Sequence, residues 1–186
     1  MKKIILLLLV ITLSSCMKVA FLIFGVHKPK PLSLDKMKKK YETSGYLEYP
    51  VFVFKDASSY YEFVVKYPDV NGVYIFNKEG MLVTPINEMT CSADNRSYLS
   101  SFSNPETMRV DSLFNISMLE NNTTIIQKNS FGTMRDTSKN FNIVLCFADF
   151  VGRVNKQTTS VYVDQLKEAD SSEFSLSLLS LDPLKK

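Results

Sequence analysis

An α/β fold is predicted for this chain, and three stretches predict it. Asn142 to Ala148 (NIVLCFA) is a continuous apolar run, the pattern of a strand covered on both faces. Phe174 to Leu181 (FSLSLLSL) reads as a second strand, and Val154, Val161, Val163 and Leu166 support a helix between them, from about Arg153 to Glu168. Strand, helix and strand in this order make a C-terminal parallel βαβ unit, expected to be right-handed. The third stretch is Val73 to Val83. Two apolar runs there flank Asn77-Lys78-Glu79-Gly80, and a glycine at the fourth turn position marks a β-hairpin.

The remaining elements follow from local chemistry. Val51-Phe52-Val53-Phe54 is a short strand of β-forming residues, near the point where the ordered part is expected to begin, Pro50. Asp56 or Ser58 can cap a helix whose apolar stripe is Tyr60, Tyr61, Phe63, Val64 and Tyr67, and Pro68-Asp69 ends it. Asp94 to Phe102 is expected to be a short helix behind an acidic cap. Residues 104–140 are polar and Asn-rich. Only Thr123 to Gln127 and Phe131 to Met134 have strand character there, separated by Lys128-Asn129-Ser130. Upstream, His27 to Gly45 (HKPKPLSLDKMKKKYETSG) is expected to be a basic tether ahead of a domain at 46–186. Pro29 and Pro31 resist helix, and six lysines make the segment positive. It reads as a solvated spacer, with contact to anionic lipid headgroups as the alternative.

The first residues carry a different signal. Met1 to Cys16 reads MKKIILLLLVITLSSC: two lysines, an unbroken apolar run from Ile4 to Ile11, then small residues before a cysteine. That is the layout of a secretory signal. Leu13-Ser14-Ser15-Cys16 resembles the lipobox of bacterial lipoproteins. The resemblance implies a signal peptide at 1–15, cleavage before Cys16, a diacylglycerol thioether on its sulfur and usually an acylated amino group. Two or more acyl chains give stable anchoring. The expected location is the bacterial cell envelope, outside the cytoplasm, with the membrane as a partner through Cys16. An uncleaved membrane-spanning helix from Ile4 to Val26 is the alternative; Lys18 and Ser14-Ser15 weigh against it.

Removal of the signal leaves 20 basic and 19 acidic side chains among about 170 residues, enough for one domain. A balance so close to neutral argues against nucleic acid as a partner. With 13 Phe and 9 Tyr, a core can form without disulfide staples. Cys91 and Cys146 are the cysteines left. A bond between them is open in an oxidising compartment, although two separate thiols are the favoured state. The N-x-S/T matches at Asn95, Asn115, Asn121 and Asn122 carry little weight in a bacterial lipoprotein. His27 is the only histidine and has no cysteine or carboxylate cluster about it, so no metal and no histidine-based triad is expected. No cofactor is implied.

The βαβ unit reads Val144-Leu145-Cys146-Phe147-Ala148-Asp149-Phe150-Val151-Gly152-Arg153-Val154-Asn155-Lys156. It resembles the active-site region of a thioredoxin, an apolar strand followed by Phe-Trp-Ala-x-Trp-Cys-Gly-x-Cys-Lys. Phe174 to Asp182 is similar to the next thioredoxin strand, which often ends in aspartate, and the hairpin resembles the one found in thioredoxin-like relatives. The hairpin precedes the active-site-like unit here and follows it in thioredoxin. Either the fold is circularly permuted or an independent α/β domain bears a chance likeness. The resemblance implies a thioredoxin-like sandwich and a binding surface at Asp149, Phe150, Val151, Gly152, Arg153 and Val154. It also implies loss of redox chemistry. Val151 and Val154 stand where the two cysteines belong, and Asn71 and Gly72 where the cis-proline would be. A Cys-x-x-Cys pair works through a thiolate, and valine has no ionisable group. The expected role is therefore a redox-inactive envelope protein that binds a protein partner or serves an accessory part. Two alternatives remain open: a thiol oxidoreductase or peroxidase using Cys91 as nucleophile, and a structural lipoprotein without a small-molecule ligand. Asp69, Asp94, Asp149 and Asp164 have no spacing that marks a catalytic dyad.

Overall fold

The computed structural model describes residues 25–66, 72–85, 108–126, 133–152, 159–164 and 172–185. Seven strands are present among them: β1 (Val51–Phe54), β2 (Val73–Asn77), β3 (Met81–Pro85), β4 (Met108–Asn115), β5 (Thr123–Ile125), β6 (Phe141–Phe147) and β7 (Phe174–Ser180). They form one mixed sheet in the order β4-β3-β2-β6-β7-β1-β5. β6, β7 and β1 run parallel to one another, and every other neighbouring pair is antiparallel. Helices α1 (Leu34–Thr43), α2 (Ala57–Lys66) and α3 (Ile116–Asn122) join them, and residues 159–164 are helical in the connection from β6 to β7.

The fold is the expected α/β class with its C-terminal parallel unit. Its four central strands, β3-β2-β6-β7, are a parallel pair with an antiparallel hairpin beside the first of them. That order is consistent with a thioredoxin-like sandwich, with the hairpin ahead of the parallel unit in the chain.

Alternation along the strands sends side chains to two faces. Phe52, Phe54, Val144, Cys146 and Leu179 point to one face, where they meet Phe63 of α2 and Ile116 and Leu119 of α3. Val51, Val53, Leu145, Phe147 and Leu178 point to the other, where they meet Met37 and Tyr41 of α1 and Tyr162 of the 159–164 helix. The first face is rich in rings. Phe63 lies 5.2 Å from Phe54 and 5.8 Å from Tyr74, and Phe114 lies 5.3 Å from Phe76, centroid to centroid. Such tilted and edge-on pairs suit the ring quadrupoles.

Several elements differ from expectation. In the crossover helix Tyr162 and Thr159 are buried and Val161 is half exposed. The inward stripe is the one a 3.6-residue period draws through Thr159, Tyr162 and Val163. β4 and α3 lie in the stretch that read as irregular. β4 is an edge strand whose pairing jumps from Leu82↔Asp111 to Met81↔Asn115, so the bulged residues break the alternation that would announce a strand. Residues 133–134 are not strand, although Met134 is buried; 131–132, Asp94 to Phe102 and Tyr67 to Asn71 lie outside the described residues. The basic segment expected to be a tether contains α1, with Met37 and Tyr41 fully buried. Their i, i+4 spacing makes an inward stripe among the lysines.

The hairpin turn depends on one glycine. Gly80 has φ +86°, its N–H donates to Asn77 O at 2.8 Å, and Asn77 Oδ1 accepts from Met81 N at 2.8 Å. A Cβ on Gly80 would sit 2.9 Å from Ile116 Cγ2, in a side chain that is itself fully buried. Gly80→Ala is therefore expected to lower stability by about 2–4 kcal/mol through backbone strain and the clash together. Asn77→Ala should cost only about 1 kcal/mol. Urea unfolding of the two variants would show equal losses if the glycine had no special place.

Candidate functional site

Parallel register brings three strand ends level. Phe147 pairs with Ser180, and Ser180 with Val53, so the chain leaves β6, β7 and β1 at the same edge of the sheet. In open α/β sheets this carboxyl edge is where ligands tend to sit. The turn Ala148-Asp149-Phe150-Val151-Gly152 follows β6, with a 3-10 turn at Asp149–Val151. Gly152 closes it at φ 71°, ψ −140°, a backbone conformation open to little but glycine.

Asp182, two residues beyond β7, organises the edge. It is buried, and its carboxylate accepts from Asp149 N at 3.1 Å through both oxygens and from Phe150 N at 3.4 Å. Tyr41 Oη donates to Asp182 Oδ2 at 2.7 Å and lies 2.6 Å from Ser180 Oγ. Ser180 Oγ in turn accepts from Asp182 N at 3.1 Å. A buried carboxylate is tolerated only when hydrogen bonds replace its water, and here backbone and hydroxyl donors do so.

The rim comes from the N-terminal segment. Lys40 of α1 makes an ion pair with Asp149, and His27 Nε2 stands 3.7 Å from the same carboxylate. The His27 N–H donates to Phe150 O at 2.9 Å. Below them Tyr41 and Tyr46 pack against Phe147, with centroids at 5.1 and 4.7 Å. Burial pushes the Tyr41 phenol above its ordinary range, and the Asp182 charge adds to the effect. Tyr46 is raised by burial and then by Asp149, with its bond to Thr159 acting in the opposite sense. Both hydroxyls are held neutral, and that of Tyr41 donates to Asp182.

Of the expected binding surface, Asp149, Phe150, Val151 and Gly152 lie together in this turn, half buried, and Phe150 and Val151 pack onto the core. Arg153 and Val154 lie outside the described residues, as do Cys16, Cys91, Asp69 and Asp94. Cys146 is buried within β6. Asp164 is exposed on the crossover helix. Reading the sequence missed Lys40, Tyr41, Tyr46 and Ser180 as members of this edge. The signal that could have found them is the Met37/Tyr41 stripe, since a helix packed on the sheet must lay its flanking side chains somewhere.

Chemically, the edge is satisfied from within. The Asp149 and Phe150 N–H groups are taken up by Asp182, and those of Val151 and Gly152 by Ala148 O and Asp149 O. An apolar groove between α2 and α3, lined by Phe54, Phe63, Phe114, Met118 and Leu119 with Glu62 at its side, lies on the opposite face. Among the described residues no group of three His, Cys, Asp or Glu side chains converges as a metal would need, and no helix is long and apolar enough to cross a membrane. No protein-family model, curated protein or solved structure matches this chain.

Two predictions follow from this geometry. Asp182→Ala strands two backbone donors and a buried phenol, and is expected to cost about 3 kcal/mol in urea unfolding. Lys40→Ala, which breaks a half-exposed pair, should cost less than about 1 kcal/mol. The second concerns alkali. The folded state holds the Tyr41 proton more tightly than the unfolded chain, whose phenol has the ordinary value of 10.0. Stability is then complete below that value and falls above it, by about 1.4 kcal/mol per pH unit for each such group. Tyr41→Phe should start less stable yet lose less on going alkaline. An equal alkaline slope in the two proteins would contradict the buried neutral phenol.

Proposed function

We propose that this protein is a lipid-anchored, redox-inactive thioredoxin-like component of the bacterial cell envelope, with a binding or accessory role and no catalytic one. One observation supports the reading: the turn at Asp149–Gly152, which the resemblance aligns with a thioredoxin active site, has its Asp149 and Phe150 N–H groups taken by Asp182, its Val151 and Gly152 N–H groups taken by Ala148 O and Asp149 O, and its rim covered by His27 and Lys40. Val151 stands where the first cysteine would be, Val154 where the second would be, and Cys146 is packed inside a strand. The lipobox-like ending at Cys16 supports the anchor, and a protein partner in the envelope is the natural client of a scaffold without its own chemistry.

The test uses full-length protein extracted from membranes. Its mass should equal residues 16–186 plus acyl chains, and it should not reduce a disulfide substrate above background. Cys91 should alkylate with an ordinary thiol pKa near ~8.5. A Cys91 already reactive as thiolate near neutral pH, or measurable disulfide reduction, would turn the assignment to a thiol enzyme. Cys16→Ser should leave a folded domain that no longer partitions with membranes; retention would point to an uncleaved helix over Ile4 to Val26. Gentle solubilisation should bring down a stoichiometric envelope protein with the lipidated chain.

A further inference from the structure

Charge is unevenly divided along the mature chain. Residues 16–45 carry seven basic side chains and two acidic ones, whereas residues 46–186 carry thirteen basic and seventeen acidic. A positive stretch of this kind on a loose spacer would set no orientation. Here it is fastened to the domain. His27 N–H bonds to Phe150 O at 2.9 Å, Leu32 N to Pro183 O at 3.0 Å, and Lys185 N to Leu32 O at 2.8 Å. Between the first two anchors Lys28 and Lys30 are exposed.

α1 continues the same surface. Met37 and Tyr41 hold the helix to the sheet, and Lys36 and Lys39, three residues apart, face solvent. Asp35 and Glu42 also face solvent, four and three residues from Lys39, so Lys36 is the helix lysine with the freer charge. Lys40 is engaged with Asp149. The four lysines therefore sit on rigid backbone at the edge of the sheet where the N-terminal segment enters.

We propose that Lys28, Lys30, Lys36 and Lys39 form a footing for anionic phospholipid headgroups of the membrane that holds Cys16. This rests on the lipid-anchor reading above. Ten residues lie between Cys16 and His27, so the two are at most about 40 Å apart along extended chain. The footing is thus kept within reach of the bilayer at all times. Each lysine brought to an anionic surface strengthens attachment about fivefold, within a Debye length of about 8 Å at physiological salt. The acidic remainder of the domain is repelled by the same surface, so one orientation is selected. The carboxyl edge of β6 and β7 turns toward the membrane, and the opposite end of the sheet is offered to the envelope.

The experiment reconstitutes the membrane-extracted chain in vesicles of phosphatidylcholine alone or phosphatidylcholine mixed with phosphatidylglycerol. Exposed amines are pulse-acetylated and read by peptide mass spectrometry. Lys28, Lys30, Lys36 and Lys39 should lose label several-fold in the anionic vesicles and regain it in high salt, while the exposed Lys55 and Lys78 keep constant labelling. Equal labelling of the four lysines in both vesicles would overturn the footing, as would protection shared equally by Lys55 and Lys78. The intact mass of the same sample separately reports acylation. A chain without acyl groups would refute the anchor, and the labelling contrast would still decide the footing.

Discussion

The buried carboxylate of Asp182 is the constraint on which the rest of this molecule turns. A charge taken out of water must find donors, and the parallel register of β6 and β7 delivers them to one place. The chain leaving β6 presents the Asp149 and Phe150 N–H groups, and the helix lying on the sheet presents the Tyr41 hydroxyl. The same few bonds thereby set the shape of the turn after β6, the seat of α1 and the exit of the C-terminal segment. Backbone pairing of Leu32 with Leu184 completes the clasp between the two ends of the described chain.

That arrangement has a functional consequence. The carboxyl edge of a parallel sheet is useful to a ligand or a reacting group because strand ends and turns leave donors unpaired there. In this protein the Asp149 and Phe150 donors at the β6 turn are spent on an internal carboxylate, and Lys40 and His27 stand over the neighbouring Asp149. The edge has become a joint between the N-terminal segment and the sheet. The joint fixes the segment from His27 onward to the sheet. The reading of a redox-inactive accessory protein and that of a basic footing draw on this one feature.

Much of the fold was legible in the residues. NIVLCFA reads as a strand buried on both faces, the Gly80 turn reverses the chain, and the stripe of Tyr60, Tyr61, Phe63, Val64 and Tyr67 has a helical period, although Tyr61 faces solvent. What was hidden had specific reasons. β4 is an edge strand with a bulge, so its side chains do not alternate cleanly. α1 carries lysines on most of its surface, and two inward residues in ten are a thin signal beside two prolines. The crossover helix faces inward through Tyr162 and Thr159, and a buried threonine is invisible to a count of apolar residues.

By itself the sequence determined the class of the fold, the hairpin, the parallel unit and the absence of a Cys-x-x-Cys pair, because each is a matter of local period or residue identity. It also put Asp182 at the end of a strand. Only the tertiary structure decided what that aspartate does. Asp149, Asp182, Ser180 and Tyr41 are scattered over more than a hundred positions, from 41 to 182. Their meeting depends on strand register and on which face α1 covers, and neither is written in the neighbourhood of any one residue. The lysines of the N-terminal segment are just as plain in the sequence, but their being held rigid is a property of the hydrogen bonds that fasten them to the far end of the chain.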